Sequence, residues 1–431
     1  MHRAVLPSIA LALVLTLGLA VPGVAQPPAT TILVSDHSDW LDRESLGASI
    51  SADGRFIAFR SNARTFVPGS GTTGHIFVRN RNTGKVRLVS VRSDGKPGDR
   101  TSRDPSISAT GRFVAFASDA DNLVEDDANS ATPDVFVHDR RTGTTSLVSV
   151  DSEGVQSDGE SYDPSISANG RFVAFVSKGH LDEDDSDDSY PDVFVHDRRT
   201  GITIWVNRHL GGEQDAAVQP AISADGNFVA YTTDAALADG DTNGQPDVYL
   251  YDRSTGSTEW VSASSPTDSA MTVSIEPSIS ADGRFVTYFS YVLSADEWDP
   301  DIPIGGFVKD RMTGVVDRVN VISDFDAVFV NDSAPTISGD GRYIAFLSYR
   351  ADLVKGDTNG AIDVFVYDRR KSLTSRVSVK TNGGQAHGSS WGQVSISGHG
   401  RFVAFTSHAN NLVKEDTNRF LPDVFVRGPL H

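Results

Sequence analysis

The 431-residue sequence contains no cysteine, which excludes disulfide staples and a lipid-bearing cysteine behind an N-terminal leader. It has no long stretch with a 3.6-residue apolar period, so helical folds are excluded and the class is all-β. Long apolar runs are also scarce. The one candidate, Ile9 to Leu19, is too short and wrongly flanked to span a membrane. Basic side chains are outnumbered, 38 against 57 acidic ones, for a formal net charge of −19. A surface this acidic repels nucleic acid and anionic lipid, and it favours cations, basic partners or plain solubility. No P-loop and no zinc-protease helix is present.

Glycine and proline, by contrast, number 57 together and recur at a fixed interval. Pro105-Ser106-Ile107-Ser108-Ala109-Thr110-Gly111-Arg112-Phe113-Val114-Ala115-Phe116 returns as Pro164 to Phe175, as Pro335 to Phe346, and as Pro277 to Phe289 with a tyrosine inserted. The pivot glycines Gly54, Gly111, Gly170, Gly226, Gly283, Gly341 and Gly400 lie 56 to 59 residues apart. Seven copies of one unit imply a closed repeat architecture: a seven-bladed β-propeller of four-stranded antiparallel blades.

Blade 6 shows the unit: strand a at Pro335 to Ser338, strand b at Arg342 to Ser348, strand c at Asp363 to Asp368 and strand d at Ser375 to Val379. The a–b and c–d turns are short, whereas the b–c and d–a loops are long and variable, which puts function on the long-loop face. Ile32 to Ser35 matches a strand d, and the last repeat lacks one, so the N-terminal strand is expected to complete the last blade. Residues 1–25 read as an export signal, with Arg3 the only charge and Gly23-Val24-Ala25 a small-residue cleavage site. Residues 26–30 are a spacer and 31–431 the propeller, expected to be a secreted or periplasmic monomer without a membrane span.

Two groups of residues carry candidate chemistry. The b–c loop of blade 4 holds Asp239, Asp241, Asn243 and Asp247, oxygen donors at positions 1, 3, 5 and 9 with Gly244 at 6, the pattern that calcium requires. It matches the start of an EF-hand loop. Weaker copies are Asp357, Asn359 and Asp363 in blade 6, Glu183, Asp185, Asp187 and Asp192 in blade 3, and Glu125, Asp127, Asn129 and Asp134 in blade 2. The competing reading is that Asp and Asn cap the start of strand c without metal. The second group follows from symmetry. Two residues before the serine of strand a, or its equivalent, stand Gly47, Asp104, Asp163, Gln219, Glu276, Ala334 and Gln393. Strand a is innermost, so Asp104, Asp163, Gln219, Glu276 and Gln393 are candidates for binding a cation or sugar hydroxyls at the channel mouth. Arg112 with Asp139 and Arg171 with Asp197 are expected to pair across strands b and c, and His138 and His196 share a repeat position. Matches to G-x-G-x-x-G at Gly69 to Gly74 and to G-x-S-x-G at Gly388 to Gly392 lack the strand and helix context those motifs need.

Ile279 to Val286 and Asp363 to Arg369 resemble TolB-type, WD-repeat-like propeller repeats, and the resemblance covers nearly the whole chain after residue 30. The blades are longer than usual for that class. The α/β domain of TolB and the hydrolase domain of prolyl-oligopeptidase relatives have no counterpart in the sequence, and the blade 4 loop resembles calcium loops of integrin-type propellers. The propeller class also includes polysaccharide lyases that use histidine with a metal, which draws attention to His37, His209 and His387. The expectation is a binding scaffold for an envelope or extracellular protein or glycan. The alternative is a carbohydrate-active enzyme, a lyase or hydrolase, at the channel mouth.

Overall fold

The computed structural model describes residues 28–35, 44–63, 66, 73–125, 127–130, 132–185, 190–208, 215–264, 272–292, 305–319, 335–416 and 421–431. These form seven four-stranded antiparallel sheets, and the one helical element among them is a 3-10 turn, Ser262–Ser264. Blade 2 is representative, with strands a to d at Ser102–Ile107, Phe113–Ser118, Asp134–Asp139 and Thr144–Leu147. Strands b and c are buried on both faces because neighbouring blades cover them, which explains their continuous apolar character. In blade 6, strand d spans Leu373–Arg376, two residues earlier than expected, because pairing starts at the c–d turn with Leu373 opposite Asp368. The tyrosine read as an insertion in blade 5 is a substitution: Tyr288 pairs with Phe307 as Phe116 pairs with Phe136.

The a–b turns explain the pivot glycines. Gly170 has φ +73°, and a Cβ there would lie 2.2 Å from the Phe113 ring of the preceding blade. The aromatic ring thus fills the space a side chain would need. Arg198, at the c–d corner of blade 3, lies over the opposite part of that contact, 5.0 Å from the Phe113 centroid, and donates to the Gly170 carbonyl at 2.7 Å. The same three-part joint recurs with Arg253 over Phe172 and Arg369 over Phe285. Cation–π contacts of this kind contribute about 0.5–2 kcal/mol each. In blade 7 the ring of Tyr343 is stacked instead by His431, at 3.9 Å.

Two further sets of bonds join the blades. The strand-a serine of one blade accepts the amide of an isoleucine in the next: Ser49 from Ile107, Ser106 from Ile166, Ser165 from Ile222, Ser278 from Ile337 and Ser395 from Ile50, at 3.1–3.2 Å. Near the short-turn face a hoop of backbone bonds runs Ala52 to Ala109 to Ala168 to Ala224 to Ala281 to Gly339. It continues from Asp340 to Gly398 and returns from Gly398 to Ala52.

The circle closes at blade 7. Thr30–Leu33 pairs antiparallel with Asp423–Gly428 in the strand-d position, as expected from the sequence. Ser35 Oγ donates to Asp423 Oδ1 at 2.6 Å and accepts the Val424 amide at 3.0 Å. The proposed leader, residues 1–25, lies outside the described residues.

Candidate functional site

The seven a strands enclose a central cavity of about 370 Å3, lined by Asp104, Asp163, Gln219, Glu276 and Gln393 among others. Each of the first four is followed by a proline, and each such pair forms a bulge. Tyr162 pairs with Val176 and Ser165 with Ala174, so Asp163 and Pro164 together face Phe175. Proline fits because the bulge frees that residue from donating to the ladder. The bulge forces φ of +53° at Asp104, +52° at Asp163, +58° at Gln219 and +55° at Glu276. Blades 1 and 7 place glycines at this point, Gly47 at +62° and Gly392 at +70°. Glycine is the unstrained choice in the left-handed region, and a side chain there costs about 1 kcal/mol or more. Blades 2 to 5 therefore keep polar side chains in the channel against a backbone penalty.

One expected residue is displaced. Blade 7 carries an extra residue in its bulge, with Trp391 opposite Thr406 and Ser395 opposite Ala404. Gly392, not Gln393, occupies the left-handed position, and Gln393 is the inserted residue, though it still lines the cavity. Ala334 lies outside the described residues. Gln219 Oε1 accepts the Thr232 hydroxyl at 3.0 Å and the Glu276 amide at 3.0 Å, which fixes it between blades 4 and 5.

The carboxylates interact through the narrow lumen. Burial, then the charges of Asp104 and Glu276, push Asp163 up to about 7. Its side chain is half-buried in the channel wall. Burial also raises Asp104, opposed by Arg103 and Arg60. An acid whose folded pKa lies above its ordinary value of 3.8 holds its proton more firmly in the native state, so its contribution to stability falls as pH rises from about 4 to about 7. Asp163→Asn is therefore expected to exceed the parent in denaturant unfolding by a margin that grows from pH 4 to pH 8. Equal stabilities at both pH values would remove the buried-charge account.

The b–c loops are built differently from a calcium cage. In blade 4, Asn243 Oδ1 accepts the Gln245 amide at 2.8 Å and its amino group faces Asp247 Oδ2 at 3.3 Å. Asp247 Oδ1 takes the Ser262 hydroxyl at 2.5 Å, Asp241 takes Tyr249 at 2.6 Å, and Asp239 is exposed. Blade 6 repeats this, with Asn359 on Asp363 at 2.9 Å and Arg376 bridging Asp357 and Asp363 at 3.0 and 3.3 Å. In blade 2 the Gln156 amide bridges Asp127 and Asp134 at 3.0 and 2.7 Å, and Asn129 donates to the Ser157 carbonyl at 2.9 Å. Glu125 is drawn off by Arg92 at 2.9 Å. In blade 3, Asp192 takes Asn207 at 2.5 Å, Asp185 is buried, Glu183 stays on the exposed turn, and Asp187 lies outside the described residues. The last Asp of each loop is thus a strand-c anchor tied to the residue two beyond the end of strand d. Burial raises Asp134 to about 6 despite its bonds to Ser149, Gln156 and Asn129. Asp239 and Glu183 apart, these oxygens mostly face protein donors, and among the described residues no three acidic or histidine side chains gather as a metal cage. The melting midpoint is accordingly expected to agree within about 2 °C in millimolar calcium and in chelator, and a calcium-dependent rise of several degrees would restore the metal reading.

The remaining candidates are structural. Arg112–Asp139 and Arg171–Asp197 form two-point ion pairs, repeated as Arg284–Asp310 and Arg342–Asp368. Their aspartates are largely buried, and the guanidinium beside each holds it below the usual carboxylate range. His138 and His196 each contact a strand-d threonine at 2.9 Å, and burial pulls both down to about 4. His387 is exposed and outside the channel lining, while His37 and His209 lie outside the described residues.

No protein-family model matches this chain, and no curated protein matches it in sequence. Solved structures do match in shape. An oligogalacturonate lyase in complex with manganese is similar over 94% of this chain and 97% of that one, at 13% identity and a TM-score of 0.53. A puromycin-hydrolyzing peptidase of Mycobacterium tuberculosis is matched over 93% of this chain at 13% identity and a TM-score of 0.52. This chain spans 54% of that peptidase. A protein described as TolB from Agrobacterium tumefaciens is matched over 64% of this chain and 81% of that one, at 17% identity and a TM-score of 0.42. The shared feature is the fold. At these identities chemistry does not carry across. Among the described residues, no helix is long and apolar enough to cross a membrane.

Proposed function

We propose that this chain is an exported β-propeller binding protein whose ligand enters the central channel from the long-loop face. The observation that carries the reading is the contrast around one ring. Asp104, Asp163, Gln219 and Glu276 hold left-handed backbone about a 370 Å3 cavity, where Gly47 and Gly392 fill the same position without strain. Strain kept at one spot in four consecutive blades is a mark of a functional site. The leader-like residues 1–25 support an extracytoplasmic location, and the acidic surface disfavours nucleic acid.

The test compares the parent with a variant carrying Asp104→Gly, Asp163→Gly and Glu276→Gly, immobilised and exposed to envelope glycan and metabolite extracts. The variant should melt no lower than the parent, since strain and charge repulsion are both relieved. Ligands that mass spectrometry finds on the parent should be depleted about tenfold or more on the variant. Identical retention by the two proteins would discard the channel as the binding site. A hydrolase reading comes second. It is favoured by one observation, an Asp163 carboxyl raised to about 7 that feels the Glu276 charge, an asymmetry suited to acid–base work on a glycosidic bond. Failure of aryl glycosides to turn over would dispose of it.

A further inference from the structure

The channel wall is unequal in a way that describes its occupant. Blades 2, 3 and 5 contribute the carboxylates Asp104, Asp163 and Glu276, of which Asp104 has Arg103 at 3.7 Å. Three blades back from blade 3, across the axis, blade 7 contributes Gly392, whose absent side chain would meet nothing within 4 Å. Behind that bare stretch stands Thr406, only 2% exposed, with a hydroxyl that has no hydrogen-bond partner. Its direction follows from the repeat. Thr406 pairs with Trp391, the residue before Gly392, as Thr232 pairs with Val218, the residue before Gln219. In blade 4 the Thr232 hydroxyl donates to Gln219 Oε1, a channel-lining atom. In blade 7 the equivalent hydroxyl faces the place that Gly392 leaves empty. The Trp391 indole Nε1 beside it is likewise buried without a partner. A buried hydroxyl and indole left unbonded cost about 1–3 kcal/mol each unless something else completes them.

We propose that the missing partner is supplied by the ligand, and that the ligand is an amino sugar, with its ammonium group held by Asp163 and Glu276 and its hydroxyl groups bonded to Thr406 and Trp391. This deepens the channel-mouth reading and rests on it. The ammonium replaces the repulsion among three carboxylates with attraction. A sugar oxygen can accept from the indole, which only donates, and can also pair with the threonine. The faces of Pro164 and Pro277 in the lining offer apolar surface to a sugar ring.

The intact chain should be titrated calorimetrically with glucosamine hydrochloride, its β-1,4-linked disaccharide, N-acetylglucosamine and cadaverine. Glucosamine or its disaccharide should bind, and whichever is tighter separates a free amino sugar from a deacetylated polymer as the source. N-Acetylglucosamine should bind at least about tenfold more weakly because it lacks the charge. Cadaverine should bind about threefold or more weakly because it lacks hydroxyls. Asp163→Asn should lower affinity for glucosamine about tenfold. Gly392→Gln should do the same while lowering the melting midpoint by no more than a few degrees, because the glutamine–threonine pair it rebuilds offsets part of the left-handed backbone cost. Equal binding of N-acetylglucosamine, full affinity in Asp163→Asn, or no binding by any of the four overturns the amino-sugar assignment. If Gly392→Gln still abolishes whatever binds, the channel reading survives that failure. If it leaves binding intact, both fall.

Discussion

Gly170→Ala is expected to lower the free energy of unfolding by about 3 kcal/mol. Two effects add. A non-glycine residue at φ +73° costs about 1–2 kcal/mol, and a Cβ placed 2.2 Å from the Phe113 ring must push that ring out of a close-packed joint, at about 1–3 kcal/mol. Gly143→Ala separates them, because Gly143 has φ +79° but a Cβ there meets nothing within 4 Å. It should lose only the backbone part, about 1 kcal/mol. Combining Phe113→Ala with Gly170→Ala should recover much of the steric part, giving a non-additive cycle in chemical denaturation. If Gly170→Ala costs no more than Gly143→Ala, the aromatic ring is not what the glycine is there for.

A chain lacking residues up to Ser35 is expected to lose cooperative unfolding and to aggregate. The deletion bares the Asp423–Gly428 edge, whose backbone groups pair with Thr30–Leu33 in the complete protein. It strips the buried Asp423 of the Ser35 hydroxyl and uncovers Phe425, Leu33 being part of the cluster that buries it. An exposed apolar strand edge recruits other chains. Removing the partner of a buried carboxylate alone costs about 1–3 kcal/mol. Ser35→Ala is the milder companion and should stay monomeric with a lowered midpoint. Light scattering and circular dichroism decide the matter: a truncated chain that remains monomeric and melts within about 2 °C of the parent would mean that the seam contributes little.

What the sequence made legible was whatever repeats within one blade. The Asp340-Gly341 turn, the apolar run of Asp363 to Asp368 and the pairing of Arg112 with Asp139 each lie inside a single unit, and the structure contains all of them. Closure by the N-terminal strand was legible too, because a repeat one strand short needs its missing part. Contacts between blades were not. The stacking of Arg198 on Phe113 joins residues in two copies, and Arg198 reads in sequence as an ordinary turn arginine. The ring at the channel mouth was found by counting back from a serine, and the count failed where blade 7 adds a residue, at Gln393. The calcium pattern stayed open in the sequence for a chemical reason. Oxygen-rich side chains that cap a strand and those that cage a cation look alike until their partners are seen, and Asn243 turns its amino group, not its oxygen, toward Asp247.

The hoop of backbone bonds near the short-turn face has one uneven link. At blade 6 the donor shifts from Gly339 to Asp340, and Thr336 donates to the Val394 carbonyl, where the strand-a serines named above accept an isoleucine amide. A girdle fastened all the way round gives first at its slackest buckle. Breathing of the native circle should therefore begin between blades 6 and 7, widening the lumen from one flank while the acidic arc of blades 2 to 5 keeps its shape.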